Sequence, residues 1–433
     1  MSSVDEVGAT ATVPTATMDT PKHWMYLGML ILGYIGIYLC RKNFSVAVPM
    51  IQKAFGINKA QTGLIASVST ISYMVGKVIF GPIIDRVGGR VCFLVNLAGV
   101  GLFAILGGAA GSLALLTTFY TCNRFFGSGA WGSMIKQTPD WLSPRHLPLA
   151  LAFLSMSYAV GGFCALTFAG WIADWSGNNW RTVMALPGVV MFAILLLCWI
   201  IVPRHAGTSS KNSPANFPAD NTRSPFQKIV EVAKVPQFWV VCGLSFALTI
   251  TRDFFNDWSV DFFKTAGGAA TSVHAAANLS TSFDAVGAVG ILFLGAVLQK
   301  LGYRARTWLL VAMMLLLSCM IYSLPVLQDQ PLWMASAVVG IIGFLSYGPY
   351  SLLAGILSVE IKGKGYVATV AGFVDASGYL AGALAGYPFG IILDKGGYHA
   401  GFHLLAFTSL AAAVLCLFLY RKKRDDLAPV TYA

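Results

Sequence analysis

Between Val91 and Gly111, and again between Val183 and Val202, the chain runs for about twenty residues without a charged side chain. That length answers to one constraint. A helix needs about 20 apolar residues to cross a hydrocarbon layer of ~30 Å, whereas membrane β-strands alternate apolar and polar residues over about 10 positions. Twelve such runs are predicted, at 25–50, 63–84, 91–111, 113–135, 147–173, 182–203, 237–263, 276–298, 307–327, 331–358, 366–393 and 400–420. The expected fold is an all-α integral membrane protein of twelve transmembrane helices. The first run is not read as a cleaved signal peptide, because it is long, carries Arg41 and Lys42, and follows a Ser/Thr-rich tail.

Composition removes the alternatives. Only 11% of residues are charged and 56% are hydrophobic, against about 25% charged in an average soluble domain. The 29 Lys and Arg with 18 Asp and Glu cannot solvate the two or three soluble domains this length would otherwise make. The eight cysteines all fall inside apolar runs with no CxxC pair, so they read as small apolar helix residues. No metal-ligand cluster, nucleophile–base arrangement or GxxxxGK[ST] phosphate loop stands out. The reading is therefore no enzyme, no metal and no cofactor.

The net charge of +11 is a matter of placement. With twelve spans both termini share a side, and 19 of the 29 Lys and Arg fall there against five on the other. The positive-inside rule puts that side in the cytoplasm. The basic excess thus reports topology and not a nucleic-acid partner. Five cations remain inside predicted helices: Arg41, Lys42, Lys77, Arg124 and Arg252, with the acids Asp253, Asp257, Asp284 and Asp375 at similar depth. A charge there costs at least about 2.5–3.5 kcal/mol, so each needs a partner or a water-filled cavity.

Residues 204–236 lack a long apolar run and divide the chain. The expected organisation is a cytoplasmic tail at 1–23, a six-helix half at 24–203, a cytoplasmic linker at 204–236, a second half at 237–420 and a tail at 421–433. GPIIDRVGGR at 81–90 echoes GAVLQKLGYR at 295–304, and GWIADWSG at 170–177 echoes GIILDKGG at 390–397. Arg41 and Arg252 repeat at a similar offset, each in the first helix of its half. Two pseudo-symmetric halves with a site between them are a known plan of secondary transporters.

The pattern of Gly81, Asp85, Arg86, Gly88 and Arg90 resembles the loop signature of the major facilitator superfamily, which implies gating between inward-open and outward-open states. Its glycines and opposite charges would latch neighbouring helix ends. GYIGIYLCRKNFSVAVP at 33–49, MVGKVIFG at 74–81, RDFFNDWS at 252–259, SYGPYSLL at 346–353 and AGFVDASGYLAG at 371–382 resemble the organophosphate:phosphate antiporters within it. The resemblance implies that Arg41 and Arg252 bind the phosphoryl group of a small anionic substrate and that Lys77 is a cavity lysine. Guanidinium forks suit phosphate oxygens; the other reading of these arginines is as internal ion-pair members.

Tyr34 and Tyr38 share roughly one helical face with Arg41, as cavity residues or as interface anchors. Lys42 lies about 100° away on the helix and is expected to pair with Asp257 or Asp284. The chain departs from the antiporters at Tyr158, which stands where a histidine is usual before Gly161 and Gly162. Gly132 and Ser133 replace a Pro-Pro pair. Arg124 looks more like a fourth-helix residue of proton-coupled members, and Asp375 replaces a neutral residue. The expected function is exchange of a sugar phosphate or glycerol phosphate for inorganic phosphate. The alternatives are a proton-coupled hexuronate or carboxylate symporter, with Asp284 or Asp375 as proton carrier, and a sugar-phosphate sensor. A monomer in a bacterial inner membrane fits best, with an organelle membrane as the other reading.

Overall fold

A computed structural model describes residues 21–138, 141–142, 146–203, 230–298, 301–327, 330–353 and 367–419. Both predicted tails beyond those limits, and most of the predicted linker, lie outside the described residues. The first part of the chain forms α1 (Pro21–Phe55), α2 (Lys59–Val87), α3 (Gly89–Gly108), α4 (Leu113–Ser128), α5 (Ala130–Gln137), α6 (Leu147–Trp175) and α7 (Trp180–Ile201). The second forms α8 (Pro236–Ala266), α9 (Val273–Leu298), α10 (Tyr303–Ser323), α11 (Leu332–Leu353) and α12 (Val367–Leu419). Among the described residues, ten helical spans are long and apolar enough to cross a membrane.

Two irregularities reconcile ten with twelve. The fourth predicted run is split at Gly129 into α4 and α5, leaving 16 and eight residues. At the other end, α12 holds 53 residues, which at about 1.5 Å each far exceeds a bilayer. Gly397, at φ 63° and ψ −170°, breaks its helical path, a conformation glycine adopts without steric cost. The eleventh and twelfth runs lie on either side of it. Most helices also extend a few residues past their apolar runs, because polar end turns reach into the headgroup layer.

Outward faces are apolar: Val78, Leu380 and Phe407 are each more than half exposed, as a lipid-facing surface requires. Trp171 and Trp175 stack at the end of α6 with centroids 6.1 Å apart, a placement suited to the membrane interface. Inside, small residues let helices touch. A Cβ on Gly63 would lie 2.4 Å from the Gly386 carbonyl oxygen, and one on Gly390 would lie 2.5 Å from that of Lys59. The spacing of Gly382, Gly386 and Gly390 thus brings α12 against α2, joining the first six spans to the last six.

Candidate functional site

One end of the bundle is held shut by polar contacts between the halves. Asn58 caps α2 by accepting from Gln61 N–H. The Lys59 and Ala60 N–H groups donate instead to the Asp394 carboxylate, at 3.0 and 2.8 Å. Asp394 thereby completes, from the other half, the donors that a helix start leaves unmet. Lys59 Nζ also lies 2.8 Å from Asp261, which accepts from the Tyr398 hydroxyl. Nearby, Asp174 of α6 and His274 of α9 sit 2.7 Å apart.

Between the halves a cavity of ≈ 570 Å³ runs from Arg41 and Arg252 toward Ile135, Leu151 and Leu353, at the end opposite that closure. Arg41, Lys77, Arg124 and Arg252 all line it, as do Tyr34, Tyr38, Tyr158 and Asp375. The structure therefore brings together residues from both halves that the sequence singled out. A chamber of ≈ 20 Å³ lies between this cavity and the closed end, lined by Arg41, Lys42, Arg124, Asp253, Asn256 and Asp257 among others.

Aromatic rings hold most of the cations. The Arg41 guanidinium is 5.6 Å from the Tyr38 ring centroid and 5.4 Å from that of Tyr73. Lys77 Nζ lies 4.8 Å from the Tyr379 centroid. Arg252 stacks on Tyr350 at 4.0 Å. A ring face attracts a cation through its quadrupole without cancelling the charge. The guanidinium is therefore fixed in place and still available to an anion. Tyr73, Tyr347, Tyr350 and Tyr379 were not among the expected site residues. Their signal, tyrosine inside an apolar run, is shared with ordinary interface anchors.

Carboxylates compensate the cations unevenly. Lys42 pairs with Asp284, with side chains 4% and 1% exposed, and Asp284 also accepts from the Tyr347 hydroxyl at 2.8 Å. Of the two partners expected for Lys42, Asp284 is thus the one in contact. Asp257 lines the small chamber instead, and among the described residues it has no ion pair within 4.0 Å. Lys77 lies 3.4 Å from Asp375, and Arg252 Nε lies 3.6 Å from Asp253. Arg41 has no carboxylate within 4.0 Å among the described residues.

Gly161 and Gly162 explain how α6 reaches this site. A Cβ on Gly161 would lie 3.1 Å from Tyr38, and one on Gly162 would lie 2.7 Å from the Asp284 carboxylate. Tyr158, one turn earlier, packs its ring 5.5 Å from that of Tyr347, and its hydroxyl has no partner among the described residues. Tyr34 contacts Tyr38 and Trp131 at 5.5 and 5.6 Å.

The 81–90 segment, expected as a loop, is helical except at Gly88 and lies apart from the cavity. Gly88 takes φ 96° between α2 and α3, and Gly81 has open space around its missing Cβ. Arg86 is exposed, and the Asp85 side chain lies outside the described residues. Arg90 donates from Nε and Nη2 to the Val202 and Trp199 carbonyls, at 2.8 and 2.9 Å. It thereby caps the end of α7. The echo at 295–304 falls partly outside the described residues.

Known proteins share this plan. A "Probable hexose phosphate transport protein" of Chlamydia muridarum is 27% identical over 416 residues, covering 90% of this chain and 88% of its own. The "Membrane sensor protein UhpC" of Escherichia coli is 27% identical over 404 residues, covering 90% and 89%. A solved bacterial homologue of the human lysosomal transporter Spinster, inward-facing and occupied, superposes with a TM-score of 0.76 at 17% identity. It covers 93% of this chain and 98% of that one. The family model described as the Major Facilitator Superfamily matches residues 30–386. With its paired six-span halves and a central cavity of uncancelled positive charge, this chain belongs to the Major Facilitator Superfamily, a family of membrane transporters and not of enzymes.

Proposed function

We propose that this chain exchanges an organophosphate, a sugar phosphate or glycerol phosphate, for inorganic phosphate. The observation that carries this reading is Arg41, held between two tyrosine rings with no carboxylate within 4.0 Å among the described residues. Such a site favours an anion, and the hexose phosphate transport protein among the relatives supports a phosphorylated sugar.

In this reading Arg41 and Arg252 hold the phosphoryl group and Lys77 adds charge at the cavity side. Tyr34, Tyr38 and Tyr158 line the path of the substrate. An empty cavity resists closure because its cations repel, and a bound anion screens them. The two halves then rock around the substrate, so each crossing needs an anion aboard and exchange follows. The Lys42–Asp284 pair, with Asp257 beside it, is the contact that loosens on binding, and the 81–90 loop acts in gating. The basic excess on one side supports cytoplasmic termini, and the protein acts as a monomer in a bacterial inner membrane.

Phosphate-loaded liposomes carrying the protein should take up labelled sugar phosphate, and Arg41→Lys or Arg252→Lys should abolish it. Uptake indifferent to internal phosphate would sink the exchange mechanism. The membrane sensor protein among the relatives favours one second reading, a sensor that binds sugar phosphate without turnover. Ligand binding with no counterflow would select it.

A further inference from the structure

Arg124 is 6% exposed, yet among the described residues its Nε and Nη1 groups have no acceptor. Leaving two donors of a buried guanidinium unmet is costly, and a ligand that accepts from them removes that cost. Both the cavity and the small chamber beyond it reach this side chain.

Arg124 does not act alone. Its guanidinium lies 5.0 Å from the Tyr73 centroid, and that of Arg41 lies 5.4 Å from the same point. Among the described residues neither has a carboxylate within 4.0 Å. The other three cations at this depth each have one: Lys42 has Asp284, Lys77 has Asp375, and Arg252 has Asp253. The two cations without a carboxylate contact therefore both belong to the first half, α1 and α4, and share one ring, with Asp253 and Asp257 on the wall of the small chamber beside them.

We propose that Arg41 and Arg124 form a dianion site in the first half, which selects the doubly charged phosphate group over singly charged anions. This rests on the phosphate reading above and adds its specificity. Two guanidiniums at one ring repel until an anion lies between them. A monoanion cancels one charge, whereas a phosphate monoester, at about −1.5 to −2 near pH 7, cancels both. Arg252, shared with Asp253, contributes less to the charge balance than its symmetry with Arg41 suggests.

The test measures binding of inorganic phosphate and of dimethyl phosphate, a permanent monoanion, to the purified full chain at about pH 7.5, where phosphate is mostly dianionic. Calorimetry at fixed ionic strength provides the readout. Wild type should prefer inorganic phosphate by at least about tenfold. Arg124→Gln should lose that preference by weakening phosphate at least about tenfold and dimethyl phosphate by distinctly less, with an unchanged melting temperature showing that the variant is folded. Should Arg124→Gln fail to fold, Arg124→Lys carries the test, since it keeps the charge and loses the fork; its preference should fall between. An unchanged phosphate affinity, or equal loss for both ligands, overturns the dianion site while leaving the phosphate reading in place. A wild-type protein that binds neither ligand overturns both.

Discussion

Lys42 of α1 and Asp284 of α9 form an ion pair that joins the two halves of the protein out of contact with solvent. Tyr347 of α11 donates a second polar contact to the same carboxylate, at 2.8 Å. Removing either charge strands the other, a loss of about 3–5 kcal/mol for a buried pair. Lys42→Met and Asp284→Asn should each lower the unfolding temperature in detergent. The double variant should lose less than either single one, because no unpaired charge remains. Double-mutant thermal melts check this, and additive losses would show that the two side chains are not coupled.

The close pass of α6 over that pair gives a second expectation. A methyl group on Gly162 would sit 2.7 Å from the Asp284 carboxylate, so Gly162→Ala should cost about 1–3 kcal/mol by overpacking. Gly127 provides the contrast. Its nearest atoms to a built Cβ are Ile37 at 3.6 Å and Val100 at 3.7 Å, which is ordinary contact. Gly127→Ala should be neutral or stabilising by up to about 1 kcal/mol from helix propensity. Melting curves of the two variants side by side test the difference.

The twelve spans were legible because lipid imposes a length that soluble folds do not. The break at Gly129 and the path through Gly397 were not, since a single glycine in an apolar run looks the same whether or not the helix bends there. Charge scarcity pointed to Arg41 and Arg252, and both line the cavity. The partner of Lys42 was left open because helical periodicity fixes its direction but not which neighbouring helix it meets. Tyr73 escaped notice for a different reason. Its importance lies in holding two guanidiniums from other helices, and nothing local to its own segment records that.

At the closed end, Asp394 accepts from two N–H groups at the start of α2. An equivalent helix cap is worth about 0.5–2 kcal/mol. Because donor and acceptor belong to different halves, that energy favours only the state in which this end is shut. Asp394→Ala should therefore shift the equilibrium toward opening here by about 2- to 30-fold. Spin labels at Lys53 and Lys395, both exposed, would report a larger population at long distance. An unchanged distance distribution would mean that the Lys59–Asp261 contact at 2.8 Å suffices to hold the end closed.

Lys77 and Asp375 face each other across the cavity at 3.4 Å, with side chains 28% and 40% exposed. That exposure screens their attraction, so the pair is weak and an anion competes with Asp375 for the lysine. Asp375→Asn removes the competitor. If the cavity works by anion exchange, the variant should bind phosphate several-fold more tightly, by about 0.5–1 kcal/mol, and keep counterflow. If Asp375 carries a proton for symport, the same substitution abolishes uptake driven by a pH gradient alone. Counterflow and gradient-driven uptake measured on one preparation separate the outcomes. Loss of the second with retention of the first would assign Asp375 to proton coupling, whereas tighter phosphate binding with no gradient-driven uptake in wild type would make it a brake on Lys77.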